Sequence, residues 1–440
     1  MFRRSTSLGL SLWLVLAPGA SGHGPPDPAP SPGPVASPSP KATPKPKVMQ
    51  RLTRAEAEAL VKEVSADVEK IRGLKFKTPV DMEVIDPQAA RDEYKAKINP
   101  WTEATAKHTQ EAYIQLGLVP RSTDLLAGYL DLVERGVLGY YEPGSRKFFL
   151  LSHVEADLVR PVMAHELTHA LEDQHYDLSA LGAKAESDED RATALSAVIE
   201  GSASVVMLAY LSRTRSPKKA REVVEETEAE RARRLRRAPS FTQRSLMAPY
   251  ILGITFLLRG KPWEWFYDGV KLDDIDQAYR EPPRSTRQIL HPEQYWVGRA
   301  FRPQENPLSL PNLAAALGPE WSKAMEGSIG ELGLAVMTGC KLDLESSDVI
   351  FPANWTHAAS EGLLSDVFHH YVAGERRATV LLTRWESEDD AREFEQALPR
   401  RGRGLYRFNT SVLLLAGDAA GRGDELALRA FQGAKYWAGN

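Results

Sequence analysis

The sequence predicts an α+β protein, with a mainly helical region followed by a small C-terminal α+β module. Three observations carry that expectation. Apolar residues recur at helical spacing through most of residues 54–300. Two β-rich runs flank Pro143-Gly144-Ser145, the pattern of a hairpin. Beyond about residue 306 the texture changes to apolar runs on either side of one polar helix. With 440 residues, 42% hydrophobic and 26% charged, the chain can bury a sizeable core in one large or two medium domains. A net charge of -4 offers no basic surface, so nucleic acid is not expected as a partner.

Taken in order, residues 1–22 have the make-up of a secretory leader. Arg3 and Arg4 precede an apolar run, Leu8 to Leu16, and Ala20-Ser21-Gly22 supplies small residues for cleavage. The run is too short to span a bilayer comfortably. Export to a periplasmic or extracellular space follows, with an uncleaved anchor as the alternative. No other stretch resembles a transmembrane helix, so no stable membrane span is expected after cleavage. Cys340 is the sole cysteine, which rules out an internal disulfide framework. Residues 23–48, "HGPPDPAPSPGPVASPSPKATPKPKV", hold too much proline for helix or sheet and read as an extended, disordered tether.

The first folded region is expected over residues 49–305. It opens with "LTRAEAEALVKEVSADVEKIRGL", a helix with Thr53 as N-cap and Gly73 as stop. "KTPVDMEVID" alternates as a strand, and "PQAARDEYKAKI" and "TEATAKHTQEAYIQLG" return to helical spacing. The hairpin over residues 136–152 feeds directly into the histidine-rich stretch "VMAHELTHALEDQHYDL", residues 162–178. Residues 189–213 form another apolar helix. "KKAREVVEETEAERARRLRRAP" is a charged helix with acid leading and base trailing, as the helix dipole favours. Residues 240–300 are helical and aromatic. The second region, 306–440, carries strands in "HHYVAGERRATVLLTRWES" and "GLYRFNTSVLLLAGD" around the helix "EDDAREFEQAL".

The chemistry concentrates in the histidine-rich helix. Residues four apart share a helix face, about 6 Å apart along the axis, so His165 and His169 can offer two imidazoles to one ion. Glu166, next to the first, can reach a water on that ion without being a ligand, which is the arrangement of a zinc hydrolase. A catalytic zinc takes three protein ligands, and two residues compete for the third place. His175 fits a known spacing, but a helix continuing through Gln174 turns it about 120° off the metal face. Glu200 is the better candidate. Its neighbours in "TALSAVIEGSASVVML" are apolar or small, and a carboxylate there needs a partner to be buried. Gly201, Ser202 and Ala203 would let the two helices approach closely.

The pairing of "HELTH" with a glutamate on a later helix resembles the gluzincin branch of zincin metallopeptidases. More narrowly, "AHELTHALEDQHYDL", "ALSAVIEGSA", "EPPRSTRQILHPEQY" and "LLTRWESEDDAREFEQAL" are similar to stretches of exported bacterial proteins read as metallopeptidases. The likeness runs from about residue 50 onward. It implies His165, His169 and Glu200 as ligands of one catalytic Zn2+ and Glu166 as general base. It also implies a zincin-like core, a small twisted mixed sheet whose edge strand lies beside the active-site helix. The chain departs from the pattern at Ser202 and Ser204, where acidic residues usually orient a ligand histidine; serine can do so more weakly. A glycine-rich stretch expected near residues 360–370 is replaced by "EGLLSDVFHH".

The expected function is therefore an exported zinc metallopeptidase acting on a peptide or protein substrate held along "VLGYYE" or "KFFLLS". His291 and Tyr295 are candidates for stabilising an oxyanion, and "EPPRST" and "WEWFY" for walling the cleft. The alternatives are a catalytically inactive zincin-fold binding protein and a zinc hydrolase of cell-wall amides. The sequence is silent on oligomeric state.

Overall fold

The computed structural model describes residues 54–435, apart from 99, 136, 155, 186–187, 215–237, 262–270, 298–307, 344–345 and 401. The expected leader, proline-rich tether, Thr53 cap and most of the expected charged helix, with "WEWFY", lie outside the described residues.

The chain is α+β. Helix α1 (Arg54–Arg72) is followed by β1 (Asp81–Ile85), α2 (Pro87–Lys97), α3 (Pro100–Leu116) and α4 (Leu125–Arg135). The hairpin β2 (Gly139–Glu142) and β3 (Lys147–Leu151) leads into α5 (Ala156–Tyr176). Then come α6 (Leu178–Ala185), α7 (Glu189–Thr214), α8 (Ser240–Leu257), α9 (Leu272–Arg280), α10 (Thr286–Leu290) and α11 (Pro292–Trp296). The C-terminal part holds α12 (Ala314–Leu317), β4 (Ser322–Gly327), α13 (Gly330–Met337), β5 (Leu363–Ala373) and β6 (Arg376–Trp385). It ends with α14 (Glu388–Ala397), β7 (Arg403–Phe408), β8 (Ser411–Gly417) and α15 (Gly423–Gly433).

The element boundaries follow local chemistry. Gly73 adopts φ +74 and stops α1 as expected. Asp86 caps α2, its side chain accepting from the Gln88 N–H, with Pro87 at the first helical position. Asp177, at φ +55, ends α5, while Asp173 accepts from the Leu178 N–H. Because α5 runs unbroken to Tyr176, His175 is carried away from the other two histidines. Its Nε2 lies 2.8 Å from the Lys75 carbonyl oxygen.

Two sheets organise the packing. In the first, order β1-β3-β2, β1 runs parallel to β3 and β2 antiparallel, so the sheet is mixed. β3 is its central strand and β2 an edge. "KFFLLS" therefore has partners on both sides, and the edge falls to "GYYE". The second sheet, β4-β5-β6-β8-β7, is antiparallel throughout. Its two faces bury different sets: Phe368 and Leu381 pack with Ala112 and Leu116 of α3, while Tyr371 and Leu382 pack with Leu426 and Ala430 of α15. The α3 face shows that side chains from before residue 305 share a core with the C-terminal sheet.

α5 and α7 are the central helices. α5 is buried on all sides from Val159 to Glu172 except at Arg160, its polar His165, Glu166, Thr168, His169 and Glu172 included. α7 is long and apolar enough to cross a membrane, which the sequence reading overlooked, but most of that stretch is buried inside the fold and the helix is a core element. A Cβ on Gly201 would lie 2.5 Å from the Gly253 carbonyl carbon, and one on Gly253 2.1 Å from the Ala197 oxygen. Gly201 thus serves a backbone-to-backbone crossing of α7 with α8. The approach of α7 to α5 is made instead by Ser202, which reaches Glu172, and by Ala203, which shares the core of α5.

Candidate metal centre

The crossing of α5 and α7 brings together the three residues that the sequence singled out. His165 Nε2 lies 3.4 Å and His169 Nε2 3.5 Å from Glu200 Oε2. The two rings meet edge to face, centroids 5.0 Å apart. All three ligand atoms lie within 4.8 Å of one another. Tetrahedral zinc with bonds of about 2.0–2.1 Å separates its ligand atoms by ~3.3–3.4 Å, so the spacing and the donor set both fit that ion. Among the described residues no lysine or arginine pairs with Glu200. Burial and the neighbouring His169 push the pKa of His165 well down, which keeps its ring neutral.

Glu166 follows His165 on the same helix and is fully buried. The Tyr141 backbone N–H of the edge strand approaches its carboxylate but falls outside hydrogen-bond geometry for either oxygen. Burial, and then the Glu200 charge, push its pKa well up; the Tyr141 backbone N–H of the edge strand opposes this weakly. An isolated carboxyl in such a place is costly unless it serves a proton. The edge strand is tied to the same helix, because the Tyr141 hydroxyl donates to Asp173 Oδ2 at 2.9 Å.

A buried charge network supports the centre one turn further along α5. Arg72 Nε donates to Glu172 Oε1 at 2.6 Å, and Ser202 Oγ donates to the same oxygen at 2.5 Å. Tyr279 donates to Glu172 Oε2 at 2.6 Å, and Arg72 Nη2 also reaches Asp276 at 2.7 Å. This network pins α1, α5, α7 and α9 together. It corrects the role expected of Ser202, whose hydroxyl serves Glu172 and not a histidine. Ser204 Oγ is buried without a hydrogen bond and orients no ring either.

Other expected positions fall elsewhere. His291 Nε2 lies 2.8 Å from Glu331, and the Tyr295 hydroxyl donates to the Glu281 carbonyl. Both are thus engaged with groups other than the His165 cluster. In "EPPRST", Thr286 donates to Asp190, ten residues before Glu200 on α7 and so about 15 Å down its axis. Thr286 therefore anchors the start of α7, away from the histidine pair.

A second group escaped the sequence reading. His108 Nδ1 lies 3.4 Å and His370 Nε2 3.3 Å from Glu111 Oε2, and the ligand atoms lie within 4.8 Å of one another. Arg377 Nε donates to the same oxygen at 2.7 Å. Burial pushes the Glu111 carboxyl up, but the Arg377 hydrogen bond and charge outweigh it and hold the carboxyl below its usual range. The spacing of His108 and Glu111, three apart on one helix, was visible. Their meeting with a strand residue 259 positions beyond Glu111 was not.

Comparisons with known proteins add little chemistry. Residues 321–412 match a family described as a domain of unknown function, DUF8575, a segment that includes His370 and none of the His165 cluster. No curated protein matches the chain. It is similar to a crystal structure from Chloroflexus aurantiacus, provisionally described as a hydrolase with a novel fold. The two are 19% identical with a TM-score of 0.36, over 56% of this chain and 91% of that one.

Proposed function

We propose that the chain is a hydrolase, and specifically an exported zinc-dependent metallopeptidase of gluzincin type. The observation that carries this reading is the convergence of two imidazole nitrogens on one oxygen of Glu200, beside a buried Glu166 carboxyl without a partner. His165, His169 and Glu200 would hold the ion. Bound there, zinc would supply a Lewis acid that lowers the pKa of water and polarises a carbonyl. Glu166 would take the proton of the attacking water on its carboxylate and later pass it to the leaving amine. An extended peptide would add to the free edge of β2, the last strand of its sheet, whose other edge is paired to β3.

A second reading rests on burial. His165, Glu166, His169 and Glu200 are all closed off from solvent, Glu200 the least so at 4% exposed. A metal enclosed in this way suits a structural role in a zincin-like binding protein. Metal analysis of purified protein, with peptide-library digestion by wild type and Glu166→Gln, separates the readings. The enzyme reading expects bound metal in both proteins and cleavage in the wild type alone. Metal without cleavage supports the structural reading, and no metal at the His165 cluster ends both.

A further inference from the structure

We propose that His108, Glu111 and His370 form a second divalent-cation site, a clip of zinc-like coordination that fastens α3 to the C-terminal sheet. This inference does not depend on the function assigned to the first cluster.

The hydrogen-bond directions point to a cation. Thr379 Oγ1 donates to Gln115 Oε1 at 2.6 Å, so its proton is committed there. His370 Nδ1 lies 2.8 Å from the same hydroxyl, and therefore donates its N–H to it. In the neutral ring, Nε2 then presents a lone pair, not a proton. That lone pair faces Glu111 Oε2 at 3.3 Å, acceptor against acceptor, on a residue that is fully buried. His108 Nδ1 points at the same oxygen from the half-open side, at 3.4 Å. A cation among the three atoms resolves the conflict, and the separation of each histidine from Glu111 matches the tetrahedral edge of about 3.3–3.4 Å.

The fold builds this arrangement from both sides. His108 and Glu111 lie three apart, on one face of α3. His370 lies two residues from Phe368 on β5, so both project from the sheet face that packs on α3. Thr379 is the direct register partner of His370 on β6 and fixes its ring. Arg377 is itself anchored, its Nη1 donating to the carbonyls of Gly374 and Arg376. Its Nε bond to Glu111 uses one lone pair of that oxygen and leaves another for the ion. Ligating carboxylates are commonly hydrogen-bonded in this manner.

The test uses the full chain, stripped with a chelator and then equilibrated with Zn2+. Bound metal is counted in wild type, His108→Ala, Glu111→Gln and Glu200→Gln, each checked for folding by circular dichroism. His108 is part-exposed, so its alanine variant is expected to fold. Wild type should bind one equivalent more than His108→Ala, whether or not the first cluster binds. In the Glu200→Gln background, where the first cluster lacks a ligand, Co2+ should give a visible ligand-field band that adding His108→Ala or Glu111→Gln removes. Equal metal content in wild type and His108→Ala would overturn the proposal, as would a Co2+ band indifferent to His108. In either case Glu111 is a hydrogen-bonding hub for Arg377.

Discussion

His165, His169 and Glu200 sit where two central helices cross, sealed from solvent, with no basic side chain on the glutamate among the described residues. His108, Glu111 and His370 sit where a helix meets a strand, part-open to solvent, with Arg377 already on the carboxylate. The donor atoms and their spacings are nearly the same. What differs is the charge beside them. The first cluster keeps a carboxyl group, Glu166, without a hydrogen bond at its side, whereas the carboxylate of the second already carries Arg377. On the two readings proposed, like ligands are surrounded in one place for reaction and in the other for holding two parts together, and it is the neighbours that distinguish the two uses.

That contrast is broken most directly by Glu166→Gln. The substitution keeps shape and removes the proton acceptor, so peptide hydrolysis should fall by about 10²–10⁴-fold while bound metal is unchanged. Arg377→Gln, at the other cluster, should leave the rate of hydrolysis within about twofold. Steady-state assays of both variants on one peptide substrate check the pair. Equal losses would mean that the two regions are not separate in function.

The support of the first cluster gives the next effect. Arg72→Met removes the cation from Glu172 and leaves a buried carboxylate with only two neutral donors, Ser202 and Tyr279. Breaking one side of a buried pair costs about 3–5 kcal/mol. Denaturant unfolding should show that loss, and Zn2+ should bind less tightly at the His165 cluster than at the His108 cluster.

The second region holds a buried acid of a different kind. Asp366, on the same strand as His370, accepts from the Ile329 and Gly330 N–H groups at 2.6 and 2.9 Å. Burial, against those hydrogen bonds, pushes its pKa up to about 7, with Asp188 and Glu189 adding to the rise. The folded state therefore keeps a proton that the unfolded chain releases near pH ~4. Stability from this group is complete below about pH 4, is lost as pH rises towards 7, and is flat above. The change is on the order of 2–4 kcal/mol at most. Calorimetry across pH 4–8 should show the decline, and Asp366→Asn should flatten it. A wild-type profile that rises over this range contradicts the assignment.

The difference between the regions also explains what could be read from the chain. The first cluster was legible because helical geometry fixes the relation of His165 to His169, and because Glu200 stands alone among apolar neighbours. The hairpin, the C-terminal strands and the stop at Gly73 were legible from equally local signals. Gly201 was misread, since its smallness shows that some backbone comes close but not which one; only the fold reveals Gly253. Ser202 was misread because its partner, Glu172, looked like an ordinary helix former. The second cluster was invisible, because no local pattern reports that a helix and a strand far apart in sequence will share a face.

The smallest expected effect tests whether the edge strand belongs to the first cluster at all. Tyr141→Phe deletes the hydroxyl that joins β2 to Asp173 on α5 and leaves the ring packing in place. Loss of one hydrogen bond to a part-buried carboxylate costs about 1–2 kcal/mol. If β2 positions the peptide, that loosening should raise KM several-fold, while kcat, which depends on Glu166, changes little. A fall in kcat at constant KM would place Tyr141 nearer the reacting atoms than its hydrogen bond to Asp173 indicates. An unchanged KM, with stability reduced, would mean that the strand braces the helix and leaves substrate to be held by another part of the molecule.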